Sequence, residues 1–451
     1  MQSIGLSRSF LGRIRSSFTL AVLFVSAALT GNATAQEQPT HPPSVASVPD
    51  ATMTQPTGKP TALRELIQEA EQKNPQIKAS FHAWQASRDV PKQVSALPET
   101  QFSVQQFSVG SPRPFAGYSN SDFAYIGFGV SQDLPYPGKR ELRARVAEHE
   151  ADSTEAQTDS VRRTVVGNLK RAYFHLAYIQ QTLGVLLKSG ELLNQVQSAA
   201  EARYRVGQGN QQDVLKAQLQ QTNLLQEIAH HHQEEGMLEA QIKQLLGRPQ
   251  ESTDVVTDTL APRAFPYAVG ELLEKAREQN PDVRSKEAST HQTESQVELA
   301  HKNFRPDFNV QYMYEHNGSQ FRDYYVATFG IRLPNRGRQK AELAEAQQNQ
   351  LRAQRELDAE SQRVLSEVQQ QYVLAKTSEE RLKIYSDGLI PQSEAAFRSG
   401  LAAYQSNRQD FESLLSSFLD VLNLDLEYRS ELVEHESALA ELERLTGVDV
   451  P

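Results

Sequence analysis

Two hydrophobic periodicities alternate along this chain, and the whole alternation runs twice. Residues 61–80 (TALRELIQEAEQKNPQIKAS) and 268–287 (AVGELLEKAREQNPDVRSKE) each read as a short amphipathic helix broken at Asn74-Pro75 or Asn280-Pro281, followed by a further helix. The break is steric, because the residue before a proline is driven out of the α region. Residues 97–107 and 305–314 then place a proline second and alternate with a period of two. Phe102 and Val104 carry that period in the first stretch, and Phe308, Val310, Tyr312 and Tyr314 in the second. A period of two predicts strands. Loops rich in Gly, Ser and Asn follow at 108–122 and 315–323, then second strands at about 123–134 and 324–333.

Each second strand runs into the same kind of turn, Leu134-Pro135-Tyr136-Pro137-Gly138 and Leu333-Pro334-Asn335-Arg336-Gly337, and then into a charged helix. From Gly138 to Tyr204 the sequence has no proline and little glycine. About 65 helical residues span roughly 100 Å, against ~11–12 residues for an average helix. Steps of four and three alternate along it, from Val165, Leu169, Ala172 and Leu176 through Gln197 and Ala200 to Tyr204. The last helix shows the same steps from Phe411, Leu414, Phe418 and Val421 through Asp425 and Tyr428 to Leu432, His435, Leu439 and Leu442. This spacing predicts narrow coiled-coil seams rather than broad globular faces. The chain reverses at 204–218 and again at 404–417. Gly207 and Asn407 stand at matching places there, and these are the residue types that take φ > 0 most easily at a helix C-terminus. Each half therefore predicts a helical hairpin with a tight tip.

Composition fits narrow seams. Hydrophobic residues make up 38% of the chain, and the mean hydropathy of −0.56 is far too polar for a bundle of membrane helices. At the N-terminus, Arg8, Arg13 and Arg15 precede an apolar run at 18–29 and a small-residue site, Ala33-Thr34-Ala35. That is the pattern of a secretory signal peptide, with an apolar run too short to span a bilayer. The expected organisation is a signal peptide at 1–35, a leader rich in Pro, Thr and Gln at 36–60, a first repeat at 61–250, a linker at 251–267 and a second repeat at 268–451. The net charge of −10 speaks against nucleic-acid binding. The absence of cysteine excludes disulfides, zinc–thiolate sites and a lipidated N-terminal cysteine. His230, His231 and His232 are consecutive, so on a helix they point about 100° apart and cannot converge on one ion. They read as a solvated face, and no metal or other cofactor is expected. Neither a nucleophile elbow nor a phosphate loop is present, so no enzyme activity is predicted.

The paired Asn-Pro helices, the paired strand–Leu-Pro–helix turns and the paired tips resemble the TolC family of bacterial outer-membrane efflux channels. The tips read Tyr204-x-x-Gly207 before DVLKAQ and Tyr404-x-x-Asn407 before DFESLL. The resemblance covers about 61–447. It implies a mostly α fold with a small β part: long helical hairpins and two β-hairpins per chain. Three copies would close a twelve-stranded barrel in the outer membrane, continued by an α-barrel in the periplasm. Pro135, Gly138, Pro334 and Gly337 would mark the passages from barrel to helix. One chain has only four strands, too few to close a barrel, and open strand edges are not viable in lipid. The resemblance also implies partners: a periplasmic adaptor, an inner-membrane pump of the resistance-nodulation-division type, and outer-membrane lipid. Tyr404 and Asp213 match the family's gate positions, and Arg408 is the nearest basic residue, one position from the family's place. Where the family often carries an acidic ring this chain has Ser413 and Ser416, with Glu412 and Asp420 nearby. The tips Arg205-Val206-Gly207 and Gln405-Ser406-Asn407 resemble the surface that meets the adaptor. LPYPGKRELRARV looks most like the branch serving heavy-metal exporters, for cobalt–zinc–cadmium and copper–silver. Multidrug efflux, type I protein secretion and a poreless periplasmic coiled-coil scaffold stand as alternatives.

Overall fold

The computed structural model describes residues 60–108, 110, 113, 124–317 and 323–448. The expected signal peptide, all but the last residue of the leader and most of both inter-strand loops lie outside the described residues. In order, the elements are α1 (Leu63–Lys73), α2 (Pro75–Ser95), β1 (Gln101–Phe107), β2 (Tyr125–Leu134), α3 (Lys139–Arg205), α4 (Gln211–Leu246), α5 (Val269–Gln279), α6 (Pro281–Lys302), β3 (Asp307–Asn317), β4 (Asp323–Arg332), α7 (Arg336–Ile384), a π-turn (Tyr385–Leu389), α8 (Ile390–Gln405) and α9 (Phe411–Thr446).

The helices form a wall. Helix α3 packs against α2 and α6 toward the sheet and against α4 and α9 away from it, while α7 packs on α6 and α9. Its 67 residues let one helix run beside two shorter ones set end to end. Two asparagines make the end-to-end joints. Asn74 caps α2, its side-chain oxygen accepting the N–H groups of Gln76 (2.8 Å) and Ile77 (3.2 Å). Its amide donates to the Leu245 carbonyl (2.8 Å) in the last turn of α4. Asn280 repeats the device on Asp282 (3.0 Å) and Val283 (3.2 Å), and donates to the Leu445 carbonyl (3.0 Å) of α9. Each side chain thus satisfies orphan groups at the start of one helix and the end of another. Both are buried.

The predicted seam of α3 is buried at Val165, Leu169, Ala172, Leu176, Ile179, Leu183, Leu186, Leu193 and Ala200. Toward the tip it shifts: Val196 is buried beside a half-buried Gln197, and Tyr204 is exposed. On α9, Leu422 is buried where the spacing predicts Val421, and Asp425 and Tyr428 are only half-buried. Beyond them the narrow seam gives way to burial on nearly every side. Helix α9 lies there between α3 and α7 and beneath α5 and the 251–267 segment. That burial takes in charge. Glu436 pairs with Arg263 (2.5 Å), Glu431 with Arg381 (2.8 Å), and Glu443 with Lys170 and Arg263. His435 is fully buried, each ring nitrogen 3.1 Å from a backbone carbonyl, that of Ala375 or of Arg263. On the other side of the wall, Arg248 grips Glu69 of α1 with two nitrogens. That bond, assisted by Lys73, holds the Glu69 carboxyl down at about 2.

The four strands form one antiparallel sheet in the order β1-β2-β3-β4. Its register aligns the alternation. Phe102, Val130 and Tyr312 lie in one row, and Val104, Phe128, Tyr314 and Tyr325 in the next, with Val310 opposite Phe329 and Phe308 opposite Ile331. One face therefore gathers most of the apolar and aromatic side chains, with Gln132 beside Val310 and with His316 and Asp323 at its far end. The opposite face is largely polar, and Asn309 donates there to Ser131 (3.0 Å) and Asp133 (2.8 Å).

Replacing Asn280 by Ala removes a cap and strands a buried carbonyl, which should cost about 2–3 kcal/mol in denaturant unfolding. Asn280→Asp should keep the cap yet lose the bond to Leu445, so a stability equal to that of the parent would contradict the joint. A second expectation concerns Glu239 on α4. Burial first, then its hydrogen bond to Asp254, push its carboxyl up to about 7, while Lys243 holds Asp254 ionised at 2.7 Å. The fold favours protonated Glu239, so its contribution is present at low pH and lost as pH rises from the ordinary carboxyl range through 7. Glu239→Gln should therefore melt higher than the parent at pH 8 and level with it at pH 4.

Candidate functional site: the paired helical tips

Helices α3 and α8 end in the same backbone device. Gly207 N–H donates to the Tyr204 carbonyl (3.1 Å) and Gln208 N–H to that of Arg203 (2.9 Å). Asn407 N–H donates to Tyr404 (3.1 Å) and Arg408 N–H to Ala403 (2.8 Å). This double closure needs one residue in the left-handed region. Gly207 supplies it at φ 71°, and Asn407 at φ 61° is the only non-glycine residue there among those described. The return helices start differently. Asp410 caps α9, accepting from the Ser413 N–H (2.8 Å) and hydroxyl (2.9 Å), whereas Asn210 makes no side-chain cap on α4.

The two tips are fastened by Arg203, a residue that seam spacing does not single out. Its guanidinium lies 4.3 Å from the centre of the Tyr404 ring. It donates to the carbonyls of Tyr404 (3.0 Å) and Gln208 (3.0 Å) and to the side-chain oxygen of Asn407. The Tyr404 ring is buried, edge-on to Phe411 at 5.9 Å, in a cluster that includes Leu193, Val196, Phe397 and Leu414. Its hydroxyl reaches no partner at hydrogen-bonding geometry. Burial and then the nearby Asp213 carboxylate push the phenol pKa up, and Arg203 opposes them in part.

Of the three expected gate residues, Asp213 lies near enough to Tyr404 for its charge to act on the phenol. Arg408 is exposed, and among the described residues no ion pair joins it to either. Within the chain Arg203 faces the Tyr404 ring instead. The signal was present as a basic residue just before a tip, but which neighbour it meets depends on how the two hairpins lie together. Arg205, Val206, Gly207, Gln405, Ser406 and Asn407 are all exposed, as are Ser413, Ser416, Glu412 and Asp420. Glu412 bridges to Lys216 of α4 (3.0 Å).

The strand-to-helix turns prove unlike each other. Gly138 takes φ 88° as the N-cap of α3. The Tyr136 N–H and the buried Lys139 ammonium both reach Asp307 at the start of β3 (2.8 Å each). Gly337 is instead helical, in the first turn of α7, where Asn335 caps it (3.0 Å). Pro135 and Pro334 precede the two caps. His230 and His231 share the Glu234 carboxylate (3.3 and 2.9 Å), and His232 faces Glu235 (3.2 Å). Among the described residues no three such side chains could hold a metal ion.

A family model described as outer membrane efflux protein matches residues 66–248 and 272–442. The cobalt-zinc-cadmium resistance protein CzcC of Cupriavidus metallidurans is 22% identical over 316 residues, covering 69% of this chain and 74% of CzcC. Among solved structures, CusC superposes with a TM-score of 0.75 at 16% identity, over 86% of this chain and 92% of CusC. The outer membrane protein VceC of Vibrio cholerae gives a TM-score of 0.74 at 17% identity, over 86% of this chain and 97% of VceC.

Arg203→Ala should loosen the tips by about 2–3 kcal/mol, through lost charged hydrogen bonds and ring contact. Hydrogen exchange at 203–210 and 404–410 should then speed up while α2 and α6 stay protected. Tyr404→Phe removes a hydroxyl without a partner, so it should leave that exchange unchanged or slow it.

Proposed function

The chain belongs to the outer membrane efflux protein family, and from that premise we propose that three copies close into one exit duct. Each would give four strands to a twelve-stranded barrel in the outer membrane and one section of wall to a periplasmic α-barrel. The observation that carries this reading is that the wall is open on both sides. Among the described residues, strands β1 and β4 each have one edge without a partner in the sheet. The helices at the same two sides expose apolar residues, Phe81, Leu219 and Met237 on α2 and α4, and Leu351, Val373 and Ile384 on α7. A bare strand edge is costly in lipid, and closure with further copies satisfies it. Three of the four strands have ten or eleven residues and β1 has seven, and a face rich in apolar and aromatic side chains suits a lipid-facing barrel.

The tips would then form the periplasmic end, closed by Tyr404, Asp213 and a basic partner. Arg205–Gly207 and Gln405–Asn407 would meet the hairpin of an adaptor. Energy for transport would come from an inner-membrane pump, of the resistance-nodulation-division type. Heavy-metal cations are the proposed cargo, supported by the likeness to a cobalt-zinc-cadmium resistance protein.

Two measurements test this. Purified outer membranes should yield a trimer whose migration changes on heating; a soluble periplasmic species would leave a poreless scaffold. A deletion strain should lose growth on graded zinc, cobalt, cadmium, copper or silver and regain it on complementation. Sensitivity to dyes and antibiotics with metals unaffected would move the duct to multidrug efflux. A lost exported protein with neither sensitivity would indicate type I secretion.

A further inference from the structure

Helix α7 does not reach the second tip as a plain α-helix. Residues Tyr385–Leu389 make a single π-turn, in which Ile390 N–H donates five residues back to the Tyr385 carbonyl. Pro391 accounts for it. Proline has no N–H, and inside an α-helix its ring crowds the carbonyl four residues earlier. One extra residue in the preceding turn moves that carbonyl aside. The first repeat has no counterpart, since the matching stretch, 185–189, lies within the unbroken helix α3. The irregularity is confined to the helix that carries Tyr404.

A second observation concerns how that helix is held. Above the π-turn, Val364, Val368 and Ala375 are buried in the core shared with α5 and α9, and Leu382 is buried closer to the turn. Below it, Phe397 and Tyr404 are buried in the tip cluster. Between Leu382 and Phe397 no residue is buried. The first repeat keeps Leu183, Leu186, Ser189 and Leu193 buried over the corresponding length. What grips the second repeat there is polar: Tyr385 donates to Glu427 (3.0 Å), and Arg381 pairs with Glu431 (2.8 Å). The π-turn thus sits where apolar packing lapses.

We infer that this π-turn is the pivot on which α8 swings, lifting Tyr404 off Arg203 and Phe411 while α7 above stays locked in the core. The inference rests on the exit-duct reading with its closed tips. Helix α8 has 16 residues. A lever of that length is about 24 Å, so a turn of about 10° at the pivot moves the tip by roughly 4 Å. That displacement is enough to break the contacts between ring, guanidinium and carbonyl.

The test uses the full-length protein in planar bilayers. Arg203→Ala unlatches the tip and should raise the open fraction. Deleting Gly388 together with Pro391→Ala removes the extra residue and its cause, giving a continuous α-helix. Added to Arg203→Ala, this should return the open fraction toward the parent, by about tenfold. A combined variant that conducts like Arg203→Ala alone overturns the pivot and leaves the tip latch standing. An unchanged open fraction in Arg203→Ala takes down latch and pivot together. A second measurement holds if the straightened chain fails to assemble. The chain has no cysteine, so spin labels at Ser399→Cys and Gln362→Cys report from below and above the turn. Distances between copies should be broad at 399 and narrow at 362, and equal widths contradict the pivot.

Discussion

A single side chain, used twice, joins the two levels of this molecule. Asn74 and Asn280 each cap a helix with their oxygen and tie down the last turn of another helix with their amide. Helix α3 is continuous over a length that its neighbours cover only in pairs, so those pairs must meet end to end. A helix end buried without partners leaves several unsatisfied groups. The asparagines settle both ends of each joint, and the following proline, itself without an N–H, begins the next helix at no loss. Apolar clusters then form beside each joint, with α1 against α3 and α4 and α5 against α7 and α9.

The two halves share a plan and differ where they face different surroundings. The first strand-to-helix turn lies in the middle of the sheet, next to the start of β3, and Lys139 and Tyr136 pin it to Asp307. The second lies at the outer side of the sheet and is capped by its own Asn335. At the tips, glycine and asparagine make the same turn, but the asparagine adds a side-chain oxygen that Arg203 uses. The long helix of the first half is regular, whereas that of the second carries Pro391 and a π-turn. The last two of these differences lie on the segment that carries Tyr404.

Periodicity alone determined the order of elements. Spacing of two marked the first strand of each hairpin, and spacing of three and four marked the long helices, because pleat and helical pitch are local and every residue reports them. The Asn-Pro breaks and the Gly207 and Asn407 tips were legible for the same reason. Pro391 was an equally local sign, though it says only that the helix is disturbed, and tertiary packing decided that a π-turn absorbs the disturbance. The seam was legible along most of α3 and at both ends of α9, and it slipped at Gln197 and Tyr204 and again at Val421, Asp425 and Tyr428. Near the C-terminus of α9 the predicted positions Leu432, His435, Leu439 and Leu442 are buried, but packing on several sides also buries the paired charges of Glu431, Glu436 and Glu443, which no seam marks. Partner identity was not legible. Arg203 rather than Arg408 meets Tyr404, and Asp307 rather than a local residue holds the first turn, because such contacts join residues far apart in the chain. Their pairing is fixed only when two hairpins lie side by side at one depth and one rotation.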